Sequence, residues 1–152
     1  MEKINSGKFD IQMQQLADAL ERLKEVFDLY ESMHNNIEYL RLKEATEDTL
    51  IQRFEFAFES YWKMLKLLLQ HCAGEEIFGR RDVLKRAYQS SMISGENLWL
   101  AMLDDRNKLS HTQGVLIYDV QIAKELCEHI EQYYLHMIEE YKRLTIWYQS
   151  LE

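Results

Sequence analysis

Apolar residues recur along most of this chain at alternating steps of three and four. Phe9, Met13, Leu16, Leu20, Leu23, Phe27 and Tyr30 form the first such series, a spacing that puts side chains on one face of an α-helix. Its polar face holds Asp18, Arg22 and Glu25. The polar stretch HNNIEYLRLKEAT then interrupts the series, and Thr46 followed by Glu47 and Asp48 predicts an N-cap with acids in the first turn. The helix expected from there carries Ile51, Phe54, Phe58, Tyr61, Leu65, Leu68 and Cys72 on one seam. Ala57, Trp62, Met64 and Leu69 widen that seam, as in a central helix. Gly74 predicts its stop. A shorter helix is expected from about Arg81 to Met92, burying Leu84, Ala87 and Tyr88. Ser94 and Gly95 separate it from a fourth helix that places Trp99, Met102, Arg106 and Leu109 on one seam. Asp119 predicts the N-cap of a last helix through Val120, Ala123, Cys127, Ile130, Tyr134, Met137, Tyr141, Leu144, Tyr148 and Leu151, about 50 Å long at the α-helical rise.

These series predict an all-α, up-and-down bundle of four to five helices, and the length of 152 residues predicts one domain over 1–152. Composition agrees, with no proline and five glycines to interrupt helices. The first and last helices outrun the others, and their uncovered seams point to a homodimer. The longest apolar run, LWLAML, is far short of the roughly 20 residues that span a bilayer, and MEKINSGKFD has no hydrophobic signal core. A soluble, cytoplasmic protein with no membrane association is expected. Cys72 and Cys127 sit on apolar faces without a CxxC spacing and are expected to be buried free thiols. The net charge of -8 argues against broad non-specific binding to nucleic acid and leaves room for a local basic patch.

Candidate chemistry gathers in DDRNKLSHTQG, after the fourth helix's core turn. Arg106 shares a seam with core residues, and a guanidinium is almost never buried without a partner. Were the helix to continue, Arg106 and Ser110, and likewise Asn107 and His111, would stand one turn apart and converge. Arginine offers a fork of donors suited to phosphate, and histidine exchanges a proton near neutral pH. Such a pair can cleave RNA without a metal. The competing reading is a solvated helix end, with Arg and His complementing the dipole and Asp104–Lys108 an ordinary pair; spacing alone favours it. In RRDVLKR, Arg81 and Lys85 can extend a phosphate-binding surface, although Asp82 and Arg86 are also placed for a plain helical pair. Glu55 and Glu59 are expected on the polar side of the second helix, with Lys63 one turn beyond Glu59. The chain has a single Glu-x-x-His, Glu31 with His34, where a di-iron bundle needs two, so neither a metal nor another cofactor is predicted.

Three stretches carry a family pattern: RFEFAFESYWKMLK, RRDVLKRAYQSSMISGENLWLAMLDDRNKLSHT and YDVQIAKEL. Together they resemble the nucleotidyltransferase substrate-binding protein family, a branch of the HEPN superfamily. Its most specific elements here are the Phe-Glu pairs followed by Trp-Lys, Trp99-Leu100 with Met102, and Asp105-Arg106-Asn107 leading to Ser110-His111. The resemblance implies a helical, dimeric subunit that associates with a separate minimal nucleotidyltransferase in a two-component, toxin-antitoxin-like system. That subunit would bind nucleotide or RNA through Arg106, Lys108, Ser110 and His111, with Arg81 and Lys85. In HEPN relatives that act as toxins, the residues matching Arg106, Asn107 and His111 form an RNA-cleaving site, often across the dimer. Some are silenced by adenylylation of a tyrosine two residues beyond the histidine. This chain has Gln113 there, which lacks the hydroxyl, and Tyr118 is the nearest substitute. Three expectations therefore stand: a binding subunit, a metal-independent RNase, and a purely structural dimerisation module.

Overall fold

The computed structural model of the chain describes residues 6–33, 40–74, 76, 79–112, 115–117 and 120–150. Its elements are α1 (Ser6–Ser32), α2 (Leu40–Ala73), α3 (Arg80–Gln89), α4 (Glu96–Asn107), the short strands β1 (Ser110–Thr112) and β2 (Val115–Ile117), and α5 (Val120–Gln149). The five helices form an all-α bundle in which α2 packs against α1, α3 and α5. Its broad apolar stripe is the reason: Phe54, Ala57, Phe58, Tyr61, Met64, Leu65 and Leu68 are fully buried. Each large side chain of this kind contributes about 1.5–3 kcal/mol when taken out of water. The first series on α1 is buried from Phe9 to Leu23, as its spacing predicts. No helix among the described residues is long and apolar enough to cross a membrane.

Several local expectations are corrected. Helix α2 begins at Leu40, so Thr46 lies inside it; its hydroxyl donates back to the Leu42 carbonyl at 2.7 Å instead of capping. Tyr88 is exposed, because α3 buries only Val83, Leu84 and Ala87. Cys127 is a buried free thiol, whereas Cys72, at the last turn of α2, is an exposed one. On α5 the fully covered tyrosines are Tyr133 and Tyr148, while Tyr134 and Tyr141 are half-buried and Tyr134 stacks on Phe27 of α1. Between α4 and α5 the chain forms an antiparallel ladder pairing Ser110 with Ile117 and Thr112 with Val115, a feature the all-helical reading did not contain. Asp119, Gln113, Tyr118, His34 and Leu151 lie outside the described residues.

A carboxylate anchors the start of α4. Glu140 on α5 is buried and accepts from the Ser94 backbone N–H at 2.5 Å, the Ser94 hydroxyl at 2.9 Å and the Trp99 indole at 3.4 Å. Arg143 adds an ion pair at 3.0 Å, and the His136 ring lies 3.2 Å away. Gly95 follows with φ +68°, and a Cβ there would stand 2.8 Å from His136 Cε1. Both the backbone angle and the space demand glycine. Trp99 thus enters the core in a fixed direction, its ring 4.6 Å from that of Tyr61. Three and four residue steps later along α4, the same face reaches Met102 and Arg106.

Candidate functional site

The site is built at the last turn of α4, where Asp105 and Arg106 are neighbours and their side chains diverge by about 100° around the helix. Arg106 turns towards α2. Its Nε donates to Glu59 Oε1 at 2.9 Å, and its Nη2 stands 3.9 Å from Glu55 Oε2. The partner that the spacing demanded for a half-buried guanidinium is therefore a pair of carboxylates one turn apart on α2. This corrects the expectation that Glu55 and Glu59 face solvent: Glu55 is buried and Glu59 is largely covered. Glu59 pairs with arginines, not with Lys63. Arg80, the first residue of α3, donates to it through Nε at 2.9 Å and Nη2 at 3.1 Å, and the Trp62 indole donates at 2.7 Å. The Arg80 guanidinium also lies over the Trp62 ring, 5.1 Å from its centroid. One carboxylate thus joins α2, α3 and α4.

Burial alone would raise the pKa of Glu59, but hydrogen bonds from Arg80, Trp62 and Arg106 outweigh it and hold the carboxyl below the ordinary value of 4.5. A carboxylate lowered on folding stabilises the folded state above its unfolded pKa, and that contribution disappears as pH falls through the folded value. Thermal melts from neutral pH down through the carboxylate range should therefore show a loss of stability on acidification that is shallower in Glu59→Gln. Equal slopes would refute the assignment.

Asp105 turns the other way, towards α5, and is buried. Its Oδ2 accepts from the Tyr133 hydroxyl at 2.5 Å and contacts His129 Nδ1 at 3.0 Å, while Lys108 Nζ lies 3.4 Å from Oδ1. Burial first, then the hydrogen bond and charge of Asp105, push the Tyr133 hydroxyl pKa well up, so it remains a donor. The expected Asp104–Lys108 pair is not formed: Lys108 takes Asp105, and Asp104 takes Arg81 of α3 at 2.9 Å on the surface. Asp82 and Arg86 do pair along α3, at 3.2 Å.

Of the residues picked from sequence, Arg106 and Lys108 stand at this helix end, Asn107 closes α4 and is exposed, and Lys85 is exposed on α3. The helix stops at Asn107, so the one-turn convergence of Arg106 with Ser110 and of Asn107 with His111 does not form by helical geometry. Ser110 and His111 continue in β1, where His111 is in register with Leu116. Their side chains lie outside the described parts of the structure. Sequence reasoning missed Arg80 and Trp62 as partners of the site, and Asp105, His129 and Tyr133 as a cluster. Their only signal was the Trp-Lys and Asp-Arg-Asn context. Among the described residues no group of three or more His, Cys, Asp or Glu side chains could hold a metal ion.

Known proteins resemble this arrangement over most of its length. The family described as "Nucleotidyltransferase substrate binding protein like" matches residues 11–146. A Haemophilus influenzae (strain ATCC 51907 / DSM 11121 / KW20 / Rd) protein named "Probable ribonuclease HepT" is 35% identical over 95 residues, 57% of this chain. The match spans 62% of that relative's own length. A crystal structure of a Thermus thermophilus protein is similar in fold, with a TM-score of 0.66 and 26% identity, over 85% of this chain and 98% of that one. With the family match running from α1 into α5 and through the whole Arg106 helix end, the chain belongs to the nucleotidyltransferase substrate-binding protein family.

Proposed function

We propose that this chain is the helical subunit of a two-component system, associating with a separate minimal nucleotidyltransferase and binding a nucleotide phosphate at the Arg106 end of the bundle. The match of the nucleotidyltransferase substrate-binding family to residues 11–146 carries this reading. The geometry supports it: Arg106 is oriented through its Nε by Glu59, its Nη2 stands 3.9 Å from Glu55, and 20% of its side chain stays accessible at the end of α4. A guanidinium oriented through Nε keeps Nη donors that suit a phosphate. In this reading the protein works in the cytoplasm as a homodimer, for which exposed Ile11 on α1 and Phe56 on α2 offer apolar surface. Co-expression with a minimal nucleotidyltransferase from the same genome, sought first in the neighbouring gene, followed by size-exclusion chromatography, should give a stable complex. Failure to associate with or without nucleotide would sink the proposal.

The relative named a probable ribonuclease favours a second reading, metal-independent RNA cleavage. A histidine, His111, would take the proton of a 2′-hydroxyl whose oxygen attacks phosphorus. The bond from phosphorus to the 5′-oxygen breaks, and that oxygen takes up a proton, leaving a 2′,3′-cyclic phosphate and a 5′-hydroxyl. Arg106 would stabilise the charge on the phosphoryl oxygens. Purified protein incubated with total RNA in EDTA should then cut it, and His111→Ala should not. Intact RNA with both proteins would remove the reading.

A further inference from the structure

Two guanidinium groups from two different helices meet on one oxygen. Glu59 Oε1 accepts from Arg106 Nε of α4 and from Arg80 Nε of α3, each at 2.9 Å. Like charges repel, so two arginines stand this close only where an acid between them offsets the repulsion. Glu59 is that acid, and its second oxygen takes Arg80 Nη2 at 3.1 Å and the Trp62 indole at 2.7 Å. The Arg80 guanidinium is thus held in its plane by the carboxylate and on its face by the Trp62 ring, 5.1 Å from the ring centroid. Its Nη1 lies outside the bidentate pair. Only 17% of the Glu59 side chain is accessible, against 36% of Arg80 and 20% of Arg106. The arginines therefore offer a ligand more surface than the acid that holds them. A phosphate monoester suits them, because its several oxygens accept from two guanidinium forks at once, and forks fixed in advance lose little freedom on binding. Glu55 and Glu59 balance the two arginines in charge, so the attraction acts at contact through directed donors, not as a long-range positive field.

We propose that Arg80 is a second phosphate ligand of the Arg106 site, the two arginines clamping one nucleotide phosphate from α3 and α4 while Glu59 sets the gap between them. This rests on the nucleotide-binding reading given above. It makes α3, through its first residue, part of the site and not only a brace for α2.

The test is calorimetric titration of AMP in EDTA into wild type, Arg80→Gln, Arg80→Lys, Arg106→Gln and Lys142→Gln, with the thermal midpoint of each protein measured alongside. Arg80→Gln should weaken AMP by about tenfold. Arg80→Lys separates contact from bracing: its single nitrogen keeps the ion pair with Glu59 and much of the stability, but no second nitrogen is left for a phosphate, so AMP should stay as weak as in Arg80→Gln. Lys142 pairs with Glu139 on the exposed part of α5, and Lys142→Gln should bind as wild type. Equal weakening there would reduce the effect to net charge and overturn the clamp. If Arg106→Gln abolishes binding while both Arg80 variants match wild type, the clamp is refuted and the Arg106 reading stands. Recovery of stability and affinity together in Arg80→Lys would make Arg80 a brace for Glu59 and refute the clamp equally. If folded wild type binds no AMP, both readings fail together. A second measurement does not depend on how well the variants fold. In nitrogen-proton spectra of the arginine side chains of wild type, the Arg80 signals, assigned by their absence from Arg80→Lys, should shift as AMP is added, and signals that stay in place refute the contact.

Discussion

Glu140→Ala should unfold at much lower urea than wild type, with stability reduced by roughly 3 kcal/mol. The effect is large because the carboxylate is 1% exposed and gathers the Ser94 N–H, the Ser94 hydroxyl, the Trp99 indole and Arg143. Truncation strips these donors of their acceptor and leaves buried ones without water to replace it. Glu140→Gln keeps an acceptor and loses the charge, so it should fall between wild type and Glu140→Ala. By contrast, removing Lys142 from its exposed pair with Glu139 should leave the urea midpoint unchanged. A Glu140→Ala midpoint equal to wild type would show that the start of α4 is held by packing alone.

Arg106→Ala should abolish nucleotide binding and also cost about 2 kcal/mol of stability. The second effect follows from its position: its side chain is 20% exposed and lies between Glu55 and Glu59, whose negative charges face each other along α2. Removing the cation leaves Arg80 to neutralise Glu59 unaided. Arg106→Lys separates the two roles. A lysine restores the charge and much of the stability, but it lacks the planar fork, so binding should remain lost. A purely structural module would instead lose stability in Arg106→Ala with no change in nucleotide or partner binding. Urea denaturation and AMP titration on the same three proteins distinguish these outcomes.

The inward direction of Arg106 was legible because it depends only on local spacing: seven and four residues separate it from Trp99 and Met102. Its partner was not legible. Glu59 lies 47 residues away, and Glu55-Glu59-Lys63 reads in any short window as routine helix surface. Only the docking of α3 and α4 on α2 turns that face inward. Thr46 failed for a different reason: a threonine hydroxyl satisfies a free N–H at a helix start and a carbonyl four residues back equally well, so the residue type does not fix the boundary. Cys72 continues the α2 seam by periodicity, but in the last turn of α2 it is exposed, and it is His71 beside it that packs on Phe9 of α1. The β1–β2 ladder has strands of three residues, too short for a two-residue alternation to register. The family resemblance, by contrast, rested on motifs spread over the chain, and it survived these local errors.

The divergence of Asp105 and Arg106 has a mechanical consequence. Adjacent residues gripped from opposite sides act as a torsion lock: α4 cannot roll about its axis without breaking either the Glu59 contact on α2 or the Tyr133 and His129 contacts on α5. Whatever follows Asn107 therefore hangs from a post that does not turn. The bearing of the arginine is thus set by residues that come before it and by helices on either side, not by the segment between α4 and α5.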